Sequence, residues 1–280
     1  MRSGIDPAIN AAALVNAIDQ AAAGGAAMLF TPEMSGLLDS NRERAAAMVR
    51  PEVEDVVLAA VREAAKARGM WVHLGSLALR DGGGKLVNRG FVIDAAGEIV
   101  ARYDKMHLFD VDLPSGESWR ESAVYQAGDE AIVVAGTPVG SLGLTICYDL
   151  RFPAIFERLS EAGAEVIAVP AAFTVPTGQA HWHVLLRARA IEAGLFVVAA
   201  AQSGRHDDGR ATFGHSLVVD PWGEVLVDGG EGEQLLFAEI ELERIAEVGA
   251  RIPVLKHRRA IPPVAIDSRH RRPYSSIAAP

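Results

Sequence analysis

The single cysteine of this chain, Cys147, stands where a nucleophile could stand. It follows the apolar-rich run Gly143 to Ile146 and leads at once into the polar segment Tyr148 to Pro153. This pattern predicts a buried strand that stops at a turn before a helix, a junction that holds a side chain rigidly at the sheet edge. A lone cysteine is more often a small buried hydrophobe. The catalytic interpretation therefore depends on the residues that accompany it.

Two charged residues, Glu33 and Lys105, occupy comparable places in the first half of the chain. Each lies at the end of an apolar strand and beside turn residues, where α/β folds bind their ligands. A cysteine nucleophile needs a base or a cation to form thiolate, and positive charge near the developing oxyanion. Taken singly, Glu33 could cap a helix and Lys105 could be a surface lysine. Their joint placement with Cys147 favours a catalytic set.

A Cys-His dyad is the main competing chemistry, with His107, His181 or His183 as the base. The motifs of cysteine proteases are missing, so the carboxylate route is favoured. A metal site is not predicted, because His181 and His183 are spaced i, i+2 on different faces of a helix, with no cysteine or carboxylate to complete a zinc set. The segment Gly136 to Gly140 lacks the phosphate-loop lysine and the dinucleotide fingerprint, and it is interpreted as a turn. No cofactor is predicted.

Composition limits the class of protein further. The chain has 280 residues, half of them apolar, and no linker or repeat, which predicts one domain over 1–280. A net charge of -9 argues against nucleic acid or an anionic membrane as partner. One cysteine excludes an internal disulfide, which indicates a reducing compartment, the cytoplasm. No apolar stretch reaches the roughly 18 to 20 residues that span a bilayer. Basic clusters at 256–259 and 269–272 are predicted to belong to a solvated or subunit-contacting tail, extended from about 264.

Helices and strands alternate along the chain. Helices are predicted at 9–24, from Pro51 over 53–68, at 152–163 and at 180–194. Strands are predicted at 26–30, 71–79, 86–94, 98–103, 141–147, 165–169, 195–201, 215–220 and 223–228. Helices separated by apolar strands, with antiparallel hairpins among them, indicate a layered α/β fold in which helices cover the sheets.

At these residues the sequence closely resembles the nitrilase superfamily, the carbon-nitrogen hydrolases. The matching segments are FTPEMS around Glu33, YDKMHLFDVDLP around Lys105 and GLTICYDLRFP around Cys147, together with VPAAFTVPTGQAHWHVLLRARAIEAGLFVVAAAQ and GHSLVVDPWGEV. The resemblance implies a four-layer α-β-β-α sandwich and a Glu-Lys-Cys triad, with Cys147 as nucleophile, Glu33 as general base and Lys105 as the cation beside the tetrahedral intermediate.

The resemblance also implies supporting residues. Glu121 matches a second glutamate that would hold Lys105 and the substrate, although an ion pair with Arg120 would explain it as well. The backbone amide of Tyr148, directly after the nucleophile, is the expected second oxyanion donor.

Within the superfamily the chain looks most like the deaminated glutathione amidases, which release 2-oxoglutarate and cysteinylglycine. The alternatives are an omega-amidase acting on 2-oxoglutaramate, another small-amide hydrolase, or an inactive binding subunit. Because the first two substrates bear carboxylates, the pocket should hold cations. The candidates are Arg151, Arg187, Arg189, Arg205 and His206, with Phe173 as a further substrate-binding residue. Arg151 could instead brace the turn, and Arg187 and Arg189 could pair with Glu192.

Two further expectations come from the resemblance. Family members begin with a buried strand before the segment that matches Arg2 to Gly4, and here the chain starts at the last residue of that strand. We therefore expect either a natural start upstream or a poorly stable chain, since a lost central strand exposes ladder groups. A homodimer is expected across the helical layer near the nucleophile, through helices 152–163 and 180–194.

Overall fold

The computed structural model describes residues 1–112 and 118–265, which form two main β-sheets and their covering helices. The α-helices are α1 Pro7–Ala23, α2 Arg42–Met48, α3 Val56–Arg68, α4 Pro153–Glu161, α5 Val175–Ala193 and α6 Glu243–Arg251. The strands are β1 Met28–Phe30, β2 Trp71–Arg80, β3 Leu86–Ile93, β4 Ile99–Asp104, β5 Asp110–Asp112, β6 Ser118–Arg120, β7 Val133–Thr137, β8 Gly140–Leu144, β9 Val166–Ala168, β10 Phe196–Ala199, β11 Ser203–Arg205, β12 Ala211–Phe213, β13 Leu217–Val219 and β14 Val225–Asp228.

The first sheet has the order β1-β2-β3-β4. β1 pairs parallel with β2, whereas β2, β3 and β4 form antiparallel pairs. Helices α1 and α3 cover one face, where Leu14 and Ile18 pack in one apolar cluster with Val61 and Leu74. This cluster buries the apolar stripes that the helical spacing predicted.

The second sheet has the order β14-β13-β10-β9-β8-β7, with β9 parallel to both β8 and β10. Helices α4 and α5 supply Phe156, Trp182 and Leu186 to its core, and the same cluster contains Val92 and Tyr103 of the first sheet. The two sheets therefore face each other between two helical layers. This confirms the four-layer α-β-β-α sandwich.

Two predicted helix boundaries were wrong. The helix predicted over 53–68 is interrupted, because the Asp55 side chain accepts a hydrogen bond from the Leu58 amide at 2.8 Å and caps α3 there, after a short 3-10 turn at Glu52–Glu54. Helix α5 begins at Val175, five residues earlier than predicted, since Pro176 occupies its first turn, where a missing N–H does no harm.

Within residues 1–112 and 118–265, no helix is both long and apolar enough to cross a membrane. β1 forms one edge of the first sheet. The predictions on an upstream strand and on one domain over 1–280 stay predictions. The basic cluster at 269–272 and nearly all of the predicted extended tail lie outside the described residues.

Candidate active site

Cys147 opens a tight turn at the end of the second sheet. The sequence predicted Cys147 as the last residue of a strand. β8 instead ends at Leu144, and Cys147 is the first residue of a 3-10 turn that runs to Arg151. Its φ is 50°, in the left-handed region that costs a non-glycine residue on the order of 1–3 kcal/mol. The Cys147 amide donates to the Pro170 carbonyl at 2.9 Å. The strained turn thus presents the thiol away from the strand.

Asp149 holds this turn in place. It is completely buried, and its Oδ2 accepts hydrogen bonds from the Ile146 amide at 2.8 Å and the Tyr103 hydroxyl at 2.7 Å. Its Oδ1 accepts from the His107 amide at 3.0 Å and lies 2.7 Å from His107 Nδ1. Four contacts from two sheets converge on one carboxylate, which fixes the nucleophile's backbone against the first sheet.

The three histidines proposed as the base of a Cys-His dyad all contact residues other than Cys147. His107 is held by Asp149 and stacks on Phe152, with ring centroids 3.6 Å apart. His181 Nδ1 lies 3.2 Å from Arg151, and His183 Nε2 lies 3.0 Å from the Asp228 carboxylate. The geometry therefore favours the carboxylate route over a Cys-His dyad.

Glu33 lies on the loop after β1, and a glycine lets that loop approach β2. A Cβ at Gly75 would lie 2.1 Å from the Thr31 carbonyl oxygen, which no side chain could tolerate. The neighbouring Ser76 accepts a hydrogen bond from the Ser35 amide at its carbonyl and from the Met34 amide at its hydroxyl, both at 3.0 Å. The loop is thereby tied to the sheet on both sides of Glu33.

Three charged side chains converge beside the thiol. Lys105, directly after β4, donates to Glu33 Oε1 at 2.9 Å and to both oxygens of Glu121, at 3.0 and 2.9 Å. The other oxygen of Glu33 accepts from the Ala172 amide at 3.0 Å. Glu33, Lys105 and Cys147 are only 4, 2 and 9% exposed. The structure thus brings the sequence-predicted residues into one buried cluster.

The neighbouring charges in this cluster shift the pKa of Lys105 and the pKa of Cys147. Burial alone would lower the pKa of Lys105, but the negative charges of Glu121 and Glu33 and the influence of Cys147 raise it well above its usual value. Burial raises the pKa of Cys147 well above that of a free thiol, and the charge and hydrogen bonding of Glu33 raise it further, whereas Lys105 lowers it. At neutral pH the cluster therefore holds the ammonium form of Lys105 and the protonated thiol of Cys147.

Glu121 is positioned by backbone rather than by Arg120. The Phe109 amide donates to Glu121 Oε2 at 2.6 Å, and Arg120 pairs with Asp112 at 2.9 Å. The alternative ion pair between Glu121 and Arg120 is therefore absent from the described contacts. Glu121 instead shares the Lys105 ammonium with Glu33.

Asn88 is a cluster residue that the sequence analysis missed. This fully buried residue of β3 donates from Nδ2 to Glu33 Oε1 at 2.9 Å and to Glu121 Oε1 at 3.4 Å. A polar residue in the middle of the apolar strand LVNRGFVI was the available sign, since buried polar groups need partners. Asn88 bridges the two carboxylates on either side of the lysine.

A cavity of about 830 Å³ opens beside this cluster. Its lining includes Cys147, Tyr148 and Phe173, three of the predicted site residues. Further parts of the wall come from α2 and β6, neither of which was predicted from the sequence, and from the segments 37–40, 172–177 and 209–212. The volume suits a ligand of drug or tripeptide size.

Of the cations proposed for substrate binding, only Arg151 lines the cavity among the described residues. Arg187 donates to the Gly223 carbonyl at 2.7 Å, and Arg189 donates to the Leu150 carbonyl at 3.0 Å and pairs with Glu192. His206 is buried between the Ser3 carbonyl and the Thr212 hydroxyl, and Arg205 is exposed away from the lining. The structure therefore does not place these four residues at the cavity, and local hydrogen bonds hold Arg187, Arg189 and His206 elsewhere.

Three other arginines line the cavity instead, and the sequence analysis missed them: Arg42, Arg120 and Arg210. Arg120 pairs with Asp112, and Arg210 pairs with Asp208 and lies over the Trp119 ring. Arg42, in the first turn of α2, and Arg151 have no carboxylate partner within 1–112 and 118–265. Arg151 contacts the Tyr148 and Phe173 rings, at 5.9 and 5.4 Å from their centroids.

Comparison with known proteins identifies relatives over most of the chain. The model of the carbon-nitrogen hydrolase family matches residues 3–250. A deaminated glutathione amidase from Yersinia enterocolitica is 42% identical over 240 residues, which cover 85% of this chain and 83% of that protein.

Solved structures agree with this relationship. The NitFhit protein of C. elegans superposes with a TM-score of 0.85 at 39% identity, over 92% of this chain and 63% of that one. An amidase from Nesterenkonia sp. AN1, in a glutamate-to-glutamine variant whose active-site cysteine has added acrylamide, superposes with a TM-score of 0.75 at 26% identity, over 90% and 95% of the two chains.

Proposed function

The chain belongs to the carbon-nitrogen hydrolase family and is an amide-hydrolysing enzyme, and from this premise we propose that it cleaves deaminated glutathione through a thioester on Cys147. One observation carries the proposed mechanism. The buried thiol stands beside a carboxylate, Glu33, that is itself bonded to the Lys105 ammonium at 2.9 Å. Relatives named deaminated glutathione amidase support the choice of substrate.

Acylation begins with a protonated thiol. Glu33 takes the Cys147 proton as the sulfur attacks the amide carbonyl, so a thiolate need not exist beforehand. The Lys105 ammonium and the Tyr148 amide stabilise the oxyanion. That amide is in the first turn of the 3-10 segment, where N–H groups have no partner within the turn. Glu33 then gives the proton to the departing nitrogen, the C–N bond breaks, and cysteinylglycine leaves.

Deacylation uses the same groups in a second cycle. Glu33 removes a proton from water, the resulting hydroxide attacks the thioester, and Lys105 again faces the oxyanion. Collapse of this intermediate breaks the C–S bond, and Glu33 returns the proton to sulfur. The products are 2-oxoglutarate and the free Cys147 thiol. Glu121 and Asn88 keep Lys105 and Glu33 in place without exchanging protons.

The substrate has a carboxylate at each end, and the cavity offers two arginines to match. Arg151 follows Cys147 in the same turn, so it suits the carboxylate of the short 2-oxoglutaryl half. Arg42 lies on α2, a part of the cavity wall that is distant from Cys147 in sequence. It suits the glycine carboxylate of the leaving half. Arginine forks bind carboxylates in bidentate fashion.

The test is a side-by-side measurement of kcat/KM on deaminated glutathione and 2-oxoglutaramate, with Cys147→Ala as control. We expect the first substrate to be preferred by about three- to tenfold, because only it can also use the exposed Arg42. A preference for 2-oxoglutaramate would instead make the chain an omega-amidase. A folded protein that turns over neither substrate would refute both assignments.

Assembly as a homodimer is a further part of the proposal. Helix α5 exposes Val184 and Ile191, 67 and 46% accessible, and the segment after α6 exposes Ile252 and Leu255. Such apolar side chains on the outer helical layer favour burial against a second copy. Sedimentation analysis should give twice the monomer mass. We also propose that the enzyme works in a reducing compartment, the cytoplasm, since its nucleophile must stay a thiol.

A further inference from the structure

Three potential metal ligands meet on the second half of the molecule, on elements that are far apart in sequence. His183 lies on α5, His215 follows β12, and Asp228 is the last residue of β14. His183 Nε2 is 3.0 Å from Asp228 Oδ2, and His215 Nδ1 is 2.9 Å from Oδ1 and 3.1 Å from Oδ2. One ligand atom from each residue lies within 4.8 Å of the other two.

The surrounding structure holds these side chains in their present orientation. The His215 ring stacks on Phe213 at 4.4 Å, and the His183 ring meets both rings edge-on. The Trp182 indole donates to the His215 carbonyl at 2.8 Å, and the Gly230 amide donates to Asp228 Oδ1 at 2.8 Å. The two imidazoles therefore converge on the carboxylate because packing and backbone contacts aim them there.

The backbone of His215 adopts an unfavourable conformation at this position. Its φ is 56°, in the left-handed region that is uncommon for residues other than glycine, although asparagine, aspartate and histidine adopt it more often than most. The backbone is held there by the His215 amide, which donates to the Gly230 carbonyl at 2.7 Å. Strained residues of this kind cluster at functional sites.

The cluster is separate from the catalytic cavity but close to its wall. Phe213 lies between them, since it packs on His215 while its amide donates to the Phe173 carbonyl at 3.0 Å. Phe173 lines the cavity, whereas His183, His215 and Asp228 do not. Their side chains are 36, 22 and 33% exposed. A solvated ion can therefore reach them without passing through the active site.

We propose that His183, His215 and Asp228 form a binding site for a divalent transition metal of the Zn²⁺ class. Two imidazole nitrogens with one carboxylate suit Zn²⁺, Ni²⁺ or Cu²⁺ rather than Mg²⁺ or Ca²⁺, which prefer oxygen ligands. Donors placed 2.0–2.2 Å from Zn²⁺ in a tetrahedron stand roughly 3.3 Å apart. Asp228 Oδ2 lies 3.0 and 3.1 Å from the two imidazole nitrogens, close to this spacing, and the nitrogens lie within 4.8 Å of each other. Side-chain movements can therefore complete the tetrahedral spacing. The fourth position is left to water.

The metal would replace the hydrogen bonds that now join the three side chains. Each imidazole presently points a nitrogen at the carboxylate, and both nitrogens must be unprotonated to bind the ion. The site would join α5, β14 and the segment after β12, where His215 lies three residues from Thr212 of the cavity wall. Metal binding therefore stabilises the folded chain and stiffens one wall of the cavity.

The test is a Zn²⁺ titration of the full-length enzyme, carried out in a Cys147→Ala background so that the catalytic thiol cannot bind the ion. Competition with a chromophoric chelator should give about one bound Zn²⁺ per chain and a melting temperature that rises with free Zn²⁺. His183→Asn and His215→Asn should each weaken the affinity at least about tenfold. Asparagine suits His215 because it tolerates the left-handed backbone.

The matched control is His257→Asn, which removes an exposed histidine outside the cluster and should leave the affinity unchanged. With Cys147 restored, the His183→Asn enzyme should keep its amidase activity, which shows that it folds. Zn²⁺ bound equally well by the cluster variants, or no saturable binding by the parent chain, would overturn the proposal. Neither outcome bears on the thioester mechanism.

Discussion

The floor and the rim of the cavity are built in opposite ways. On the floor, Glu33, Lys105 and Cys147 are almost completely buried, and hydrogen bonds to backbone or buried side chains fix them. On the rim, Arg42 is exposed and Arg151 is held by contacts with aromatic rings and a histidine. The difference supports the proposal that the floor residues break the amide bond, whereas the rim arginines select the substrate.

The largest effect should come from removal of the nucleophile. Cys147→Ala deletes the group that forms the thioester, so kcat should fall by at least about 10,000-fold on every amide. Steady-state assays of cysteinylglycine release measure this loss, and circular dichroism confirms that the variant folds. Substantial residual turnover by a folded variant would mean that the floor does not perform the chemistry.

Glu33→Gln should lower turnover while making the thiol easier to alkylate. Loss of the general base should reduce kcat by about 100- to 10,000-fold. The same change removes a negative charge and a hydrogen bond that raise the pKa of Cys147, so that pKa falls and more thiolate forms at neutral pH. Iodoacetamide alkylation of Cys147 at pH 7 should therefore be faster than in the wild type.

Glu121→Gln is the matched control, since it alters the other carboxylate on Lys105 but does not face the thiol directly. It should lower kcat less than Glu33→Gln does. Equal losses in the two variants would contradict the assignment of Glu33 as the base. Slower alkylation in Glu33→Gln would contradict the account of Glu33 as a charge that raises the pKa of Cys147.

Arg151→Ala tests the part of the rim nearest the floor. Loss of a charge-assisted contact to the 2-oxoglutaryl carboxylate should raise KM about 10- to 100-fold on both substrates, with a smaller change in kcat. Arg151→Lys should recover only part of the loss, because lysine lacks the planar fork. Arg205→Ala, an exposed arginine away from the cavity, is the control. An unchanged KM in Arg151→Ala would rule out this contact.

Arg42→Ala should have the smallest effect and the most selective one. Its exposed guanidinium is screened by solvent, so KM for deaminated glutathione should rise only about three- to tenfold. KM for 2-oxoglutaramate, which has no glycine carboxylate, should not change. Equal effects on the two substrates would remove Arg42 from substrate recognition.

The residues of the cavity floor could be predicted from the sequence because short local patterns identify them. Lys105 directly follows β4, and Glu33 and Cys147 each lie three residues after the end of a strand, β1 and β8, at a recognisable turn. The rim could not be predicted in this way. Helix α2 has no buried residue and no apolar stripe, so it leaves no periodic pattern to detect. Its position over the cavity depends on tertiary contacts.

Pairings between distant residues explain the remaining misses. Arg189 was proposed for the pocket, but its guanidinium bonds the Leu150 carbonyl, 39 residues away. Along the sequence His183 has His181 as its neighbouring potential ligand, whereas in the fold His183 meets Asp228, 45 residues away. Sequence spacing along one helix cannot reveal such partners, because the sheet order that brings them together is set by the whole fold.

The most direct test of the account is the partition of the acyl group between water and hydroxylamine. If both substrates pass through the same 2-oxoglutaryl thioester on Cys147, the ratio of hydroxamate to 2-oxoglutarate at a given hydroxylamine concentration must be identical for deaminated glutathione and 2-oxoglutaramate. We predict identical ratios, and no product from Cys147→Ala. Ratios that differ with the leaving group would contradict a common thioester.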